Sequence, residues 1–260
     1  MKNSLRFEIA NIKEVFIGNN WKQLWNCRNV DVDLNAFTSD ENLIVYLKTL
    51  DGFDLEKDSF SYSSFYKQYT ATKEAIFSVL GITSVSEDNP VSVYEVGCGS
   101  GPNLYMFEQD GFITGGIDYS ESLLSVANKI LKSTDLTHGE AISLSDKPNY
   151  DVVISNSVFA YFPDLAYAES VLNRMVEKAK HSIVLIDICD SDKQSDYENY
   201  RKQVEENYDE KYKDLPKLFF SKEFFVRYAK EHHMSLEFFS CNFPEYWNNN
   251  YIFNCIMKKN

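Results

Sequence analysis

Hydrophobic and polar positions fall into two textures along the chain. Over residues 1–90 the apolar side chains recur at helical spacing: Phe7, Ile12, Val15 and Phe16, then Trp21, Leu24 and Trp25. A second helical block covers 41–50, and a third covers 62–80 with Tyr62, Phe65, Tyr66, Tyr69, Ile76, Phe77 and Leu80. The polar stretch 84–90 reads as a linker. From Val91 short apolar runs alternate with helix-like segments. VSVYEV reads as a buried strand and runs straight into GCGSG; NLYMFEQ reads as helix and FITGGID as strand. A helix opens at Ser120, with Glu121 suiting its positive end. Strands are predicted over 136–141, 150–155 and 182–188, and a helix over 165–179. This alternation predicts an α/β protein with a doubly wound, mostly parallel sheet. Residues 189–220 break the pattern with charge and tyrosine and read as a helical insert. A helix over 221–232 and strands over 236–241 and 251–258 follow. The expected organisation is an N-terminal helical lid, 1–90, and an α/β domain, 91–260, interrupted at 189–220.

Composition narrows the partners. Among 260 residues, 26 Lys and Arg face 39 Asp and Glu, for a net charge of −13, and no basic cluster occurs. Nucleic-acid binders need a basic face to displace counterions, and anionic membranes repel an acidic protein, so neither is an expected partner. Five cysteines, at 27, 98, 189, 241 and 255, are odd in number and lack a CxxC pair, which reads as reduced thiols in the cytoplasm. The first residues interleave charges with apolar positions and lack a signal-peptide core, and no apolar run is long enough to span a bilayer. A monomer or a homodimer is expected.

The sharpest local signal is Glu95-Val96-Gly97-Cys98-Gly99-Ser100-Gly101. A glycine turn between a buried strand and a helix lets backbone approach a ligand closely. The spacing is GxGxG followed by Pro102, and the third glycine of the dinucleotide fingerprint is missing. Glu95 is poorly placed to greet phosphates and well placed to balance a cationic group. Asp118 ends the second strand, where a carboxylate can grip both ribose hydroxyls. Taken alone, the turn reads as a tight loop and the aspartate as a helix cap; in register they read as a ligand site.

At these residues the chain resembles the class I S-adenosylmethionine-dependent methyltransferases of small-molecule type. EVGCGSG is similar to the family's first motif and GIDYS to its second, and the likeness continues through HGEA, YDVVISNSVFAYF and SIVLIDI. The resemblance implies a seven-stranded Rossmann-like sheet with an antiparallel last strand. It implies S-adenosylmethionine as the methyl donor. Glu95 and the backbone of Gly97, Cys98 and Gly99 would hold the donor's methionine part. Asp118 would hold its ribose, with Tyr119 flanking the adenine and Glu140 and Ala141 meeting the adenine edge, although the family often has Asp at position 140. Asn156 and Ser157 would sit beneath the sulfonium, with Phe159 nearby.

Methyl transfer from a sulfonium chiefly requires positioning and exclusion of water. The segment 156–159 reads NSVF and lacks the NPPY-type tetrapeptide of many nucleic-acid and protein amide methylators, which points to a small-molecule acceptor, methylated on oxygen or nitrogen. Candidate acceptor contacts are Tyr161 and Phe162 after the fourth strand, and Trp21, Trp25, Arg28 and Tyr66 in the lid. Aromatic residues at helical spacing also read as core. His138, His181, His232 and His233 read as surface or cap residues, so no catalytic base is assigned. Asp187 and Asp190 lie near strand ends, but 155–157 carries no acid, so no metal is expected. Cys98 reads as a small side chain in a tight turn. The rival readings are a nucleotide-dependent oxidoreductase and a non-catalytic S-adenosylmethionine-binding protein.

Overall fold

Strands β1 (Ser92–Val96), β2 (Ile113–Asp118), β3 (Leu136–His138), β4 (Tyr150–Asn156) and β5 (Ala179–Cys189) pair in parallel, and β6 (Met234–Phe239) and β7 (Ile252–Lys259) join antiparallel at one edge. The order β3-β2-β1-β4-β5-β7-β6 makes one seven-stranded sheet. The chain winds outward from β1 in one direction and resumes at β4 in the other, so the switch point lies at the carboxyl ends of β1 and β4, where ligands of such sheets bind. This computed structural model describes residues 21–26, 33, 36–52, 61–133, 135–241 and 246–260; the apolar positions 7–16 and Arg28 lie outside them.

Alternation along the strands builds two cores. Tyr94, Val96, Val153, Ile183, Leu185, Cys255 and Met257 pack on one face with helices α6 (Leu165–Lys178) and α9 (Lys222–Glu231). Val93, Val152, Ile154, Val184, Ile186 and Ile256 pack on the other with α3 (Tyr62–Leu80) and α4 (Pro102–Gln109). Local signals set the helix ends. Ser61, Ser120, Asp164 and Ser221 each accept a first-turn N–H in α3, α5 (Glu121–Ile130), α6 and α9. Gly81, at φ +68°, stops α3.

Among the described residues, the helices before the sheet are α1 (Trp21–Asn26), α2 (Asp40–Leu50) and α3. The insert after β5 folds as α7 (Gln194–Val204) and α8 (Tyr208–Lys211). It is pinched shut at its base, where Phe220 N donates to the Cys189 carbonyl at 2.8 Å and Ser191 N to the Phe220 carbonyl at 2.9 Å. One expectation shifts. The strand read over 136–141 ends at His138, because β2 offers partners only up to Asp118, and Ala141 opens a 3-10 turn. The strand read over 182–188 lies within β5, and its register with β7 slips between Leu185 and Ile188, where Asp187 sits at φ +62° with its N–H given to the Asn254 side chain at 2.9 Å. Such bulges re-aim a side chain.

Candidate functional site

The turn after β1 satisfies its own amides. Gly97 N and Cys98 N both donate to the Ile117 carbonyl, at 2.8 and 3.2 Å, and Gly101 N donates to the Cys98 carbonyl at 2.9 Å. Gly99 N donates to Asp118 Oδ2 at 2.8 Å and Ser100 N to Asp51 Oδ1 at 2.9 Å. The expectation that these amides are offered to a ligand is therefore not met. Buried donors must be paired, and two neighbouring carboxylates pair them. What the glycines provide is room. A Cβ on Gly97 would lie 2.3 Å from Val158 Cγ2, and one on Gly99 would lie 2.5 Å from Asp51 Oδ1.

Around this turn lies a cluster of buried charge. Glu95, 1% exposed, accepts from Asn103 Nδ2 at 2.6 Å through Oε1, while Oε2 is buried without a hydrogen-bond partner. Burial pushes the Glu95 carboxyl up to about 8; the Asn103 bond and Lys48 oppose the rise, and Asp51 and Asp118 add to it. Burial likewise raises Asp51 to about 7 against the pull of Lys48 and of the Ser100 N–H. Asp118 is also raised by burial, which its bonds from Ser120 N and Gly99 N counter. Its Oδ1 takes the Ser120 N–H at 2.8 Å, so each oxygen keeps a further lone pair. Among the described residues the lysine of this cluster is Lys48, 3% exposed, whose ammonium burial depresses while Asp51, Glu95 and Asp187 favour its charge. Cys98 is buried in the same turn, with its thiol held well above the usual range by burial and by Asp118, Glu95 and Asp51, which fits a packed side chain rather than a nucleophile.

At the β4 end, Asn156 Nδ2 donates to Gln68 Oε1 at 3.1 Å and Ser157 Oγ to Asn156 Oδ1 at 2.9 Å. Ser157, at φ +59°, also donates to Asp187. The bulge in β5 brings the Asp187 carboxylate here, where it further accepts from Tyr246 OH at 2.8 Å and Asn248 Nδ2 at 3.2 Å. Trp21 and Trp25 cover this end. Their rings lie 4.8 and 5.7 Å from that of Tyr161, Trp21 Nε1 donates to the Pro216 carbonyl at 2.7 Å, and the Trp25 carbonyl accepts from Ser120 Oγ at 3.1 Å. Helix α1 thus bridges the β2 end, the turn after β4 and the insert. Lys217 lies over the far rings, 5.7 Å from Tyr161 and 5.3 Å from Tyr197.

Glu95, Gly97, Cys98, Gly99 and Asp118 share this site. Tyr119 and His138 line an open cleft of about 610 Å³ with Asn26 and Glu121, and the Tyr119 carbonyl is 3.0 Å from His138 Nε2. Glu140 forms an ion pair with Lys22 of α1 and accepts from Tyr167 OH at 3.4 Å; Ala141 opens the turn beside it. Two acceptor candidates lie elsewhere. The Phe162 ring turns into the core, 4.8 Å from Phe159 and 5.0 Å from Tyr167, since an exposed ring there would forgo that burial. Tyr66 is 46% exposed on α3, against Tyr62 and Tyr69 rather than the tryptophans. Sequence reasoning missed Lys48, Asp51, Asn103, Tyr246 and Asn248. The signal for the first two was present: Ile44, Leu47, Lys48 and Asp51 share one face of α2, so two charges interrupt an apolar stripe. Among the described residues no group of three or more His, Cys, Asp or Glu is arranged to hold a metal ion.

This fold and site define a class. Residues 94–182 match the family model of a methyltransferase domain. The fold is shared with the magnesium protoporphyrin IX methyltransferase of Synechocystis PCC 6803 with bound S-adenosylmethionine (14% identity, 87% of this chain and 100% of that one, TM-score 0.54). It is also shared with the plantazolicin methyltransferase BpumL in complex with S-adenosylhomocysteine (17% identity, 92% and 93%, TM-score 0.60) and with the N-methyltransferase NodS of Bradyrhizobium japonicum WM9 (11% identity, 76% and 97%, TM-score 0.53). No curated protein matches the sequence. Residues 94–182 are thus similar to a methyltransferase domain, and the seven-stranded sheet has the fold of these methyltransferases.

Proposed function

We propose that the protein transfers a methyl group from S-adenosylmethionine to an oxygen or nitrogen atom of a small-molecule acceptor held beneath the N-terminal helices. The observation that carries this reading is Glu95 Oε2, a carboxylate oxygen buried without a partner beside two further buried carboxylates. That environment calls for a cation, and the donor brings two, an ammonium and a sulfonium. The residues fit the group. Glu95 accepts from the ammonium, Asp118 uses its remaining lone pairs for the ribose hydroxyls, and Gly97, Cys98 and Gly99 shape the wall of the pocket. Tyr119, Glu140 and Ala141 lie on the adenine side. When bound, the donor supplies a methyl group on an already activated leaving group.

The chain's own residues then have three tasks. Asn156 and Ser157, at the β4 end and backed by Asp187, present polar atoms where the acceptor approaches. Trp21, Trp25 and Tyr161 exclude water above them, which strengthens every charge interaction below. Residues 1–90 thus act as a lid on the domain spanning 91–260, together with the insert at 189–220. The acceptor is small and neither nucleic acid nor membrane, in keeping with a net charge of −13, and among the described residues no helix is long and apolar enough to cross a membrane. Cys98, Cys189, Cys241 and Cys255 are free and buried, which suits a cytoplasmic location. Calorimetric titration with S-adenosylhomocysteine and with NADH tests the donor, and methyl release to a panel of small alcohols, phenols and amines tests the reaction. Binding of S-adenosylhomocysteine without NADH binding is expected; NADH binding alone would overturn the reading.

A further inference from the structure

The loop between α8 and α9 carries a lysine that the donor site does not use. Its backbone is held at three points. The Pro216 carbonyl accepts from Trp21 Nε1 at 2.7 Å, Leu218 N donates to the Ala160 carbonyl at 2.8 Å, and Phe220 N donates to the Cys189 carbonyl at 2.8 Å. Lys217 therefore stands beside the turn after β4, between α1 of the lid and the end of β5, with its position fixed before a ligand arrives. Its ammonium lies 5.7 Å from the centre of the Tyr161 ring and 5.3 Å from that of Tyr197, and the Tyr161 ring is in turn 4.8 Å from that of Trp21. Burial opposes its charge, but Tyr197, which takes a hydrogen bond from it, Tyr161 and Cys189 outweigh that opposition and hold the group well above the usual lysine range. It is an ammonium there, not a base.

Among the described residues no acid forms an ion pair with Lys217. In the insert, Glu205 pairs with Arg201 and Lys211, and Asp209 pairs with Lys202. Asp187, at the same end of the sheet, already accepts from Ser157, Tyr246 and Asn248. The chain has 39 acidic residues for 26 basic ones, so acids to pair with are plentiful, yet this half-buried ammonium is kept among rings instead. Methionine would fill the same space without desolvating a charge, so packing does not explain a lysine there. Attraction to the two rings holds the head in place but leaves its charge unbalanced. The matching negative charge must come from a ligand, and the ammonium lies on the side of Tyr161 from which an acceptor reaches Asn156 and Ser157. We propose that Lys217 is the specificity-determining residue for an acceptor that carries a carboxylate, which it holds between Tyr161 and Tyr197. The inference rests on the donor reading above and names the acceptor's class. One ammonium balances one carboxylate; a phosphate would bring a second charge with nothing to meet it, close to Asp187.

The test titrates matched probes by calorimetry into the full chain loaded with S-adenosylhomocysteine. The pairs are benzoate and benzamide, salicylate and salicylamide, and 3-phenylpropionate and 3-phenylpropionamide, with phenyl phosphate as a further arm. Each pair keeps the shape and removes the charge. The acids are expected to bind roughly 10–100-fold more tightly than their amides. Lys217→Met is expected to bring each pair within about threefold while S-adenosylhomocysteine affinity stays within about twofold, and Lys217→Arg to keep the preference for acids. Amides that bind as well as acids, no binding of any acid to the loaded parent, or a preference that survives Lys217→Met would overturn the role of Lys217 while the donor reading stood. Phenyl phosphate binding more tightly than every carboxylate would overturn the assignment of the acceptor's class. Failure of the unaltered protein to bind S-adenosylhomocysteine would overturn the donor reading and this inference with it. Thermal unfolding separates a lost contact from a lost fold: Lys217→Met is expected to melt at or above the parent's temperature, and Lys217→Gln carries the same comparison if the methionine variant melts far below it.

Discussion

Replacing Glu95 by glutamine should make the ligand-free protein more stable and its donor site weaker, a combination that a purely structural residue does not produce. On folding at pH 7, a carboxyl with an ordinary value of 4.5 is carried into a place where burial raises it to about 8, so it must take up a proton. Linkage sets that cost at about 1.4 kcal/mol for each pH unit above the ordinary value, or roughly 3 kcal/mol at pH 7. Glutamine avoids the cost. Its oxygen keeps the bond from Asn103, and its amide, standing where Oε2 lacks a partner, returns about 1–2 kcal/mol as an unmet donor. The net gain is about 1–2 kcal/mol. The sign of the pH dependence follows. A carboxyl raised in the folded state contributes stability below its ordinary value and loses it as pH rises through about 8, so the parent should weaken from pH 5 to 8.5 and the variant should do so less steeply. Urea unfolding at several pH values measures both quantities. Binding should move the other way. A charge-assisted bond to the ammonium contributes about 1.5–3 kcal/mol, so S-adenosylhomocysteine should bind roughly 10–150-fold more weakly to the variant at pH 8.5, where the parent's carboxylate is ionised. A Glu95→Gln protein that binds it as tightly as the parent would refute the role of Glu95; one less stable than the parent would refute the account of its burial.

Two other substitutions probe the frame around the pocket. Gly97→Ala places a methyl group 2.3 Å from Val158 Cγ2 at φ +77°, so denaturant unfolding should show a loss of about 1–3 kcal/mol, and S-adenosylhomocysteine affinity should fall with it. Asp187→Ala leaves Tyr246, Asn248 and Ser157 without their shared acceptor and should cost about 2–4 kcal/mol in the same assay, while Asp187→Asn should recover part of that.

Much of the frame was legible because its signals are local. The apolar positions Phe65, Tyr69 and Ile76 lie within one short stretch, and α3 runs over 62–80 as read. Glu95 and Asp118 stood out for the same reason, since each lies at or next to the end of a short apolar strand that runs into a turn. What escaped depends on distant partners. Lys48 and Asp51 interrupt the apolar face of α2, but nothing near them in the chain says that Ser100 is what the face is laid on. Asp187 sits in an apolar run that reads as plain strand; at the bulge there its N–H is taken by Asn254, from a strand that follows much later in the chain. Phe162 shows the reverse error. Its place after β4 suggested a pocket residue, but whether a ring after a strand points to a ligand or to the core depends on the neighbouring helix, and Tyr167 on α6 claims it.

The same glycine turn also decides between the two great uses of this sheet. A dinucleotide site presents backbone N–H groups and a helix N-terminus to a pyrophosphate. Here every amide from Gly97 to Gly101 already donates within the protein, two of them to carboxylates, and Pro102 at the head of α4 has no N–H to give. An anion approaching the turn would meet Asp51 and Asp118 where it needs donors, and would meet Glu95 behind them. Pyrophosphate binding would require breaking both carboxylate bonds and burying two like charges against the phosphates, which low-dielectric surroundings make prohibitive. A sulfonium or ammonium meets the opposite situation, because each carboxylate that already orders the turn also lowers the energy of the incoming cation. On the function proposed above, the residues that fix the loop's shape are therefore also the residues that select the ligand's charge, so altering the shape of this turn should alter its preference for a positive donor as well.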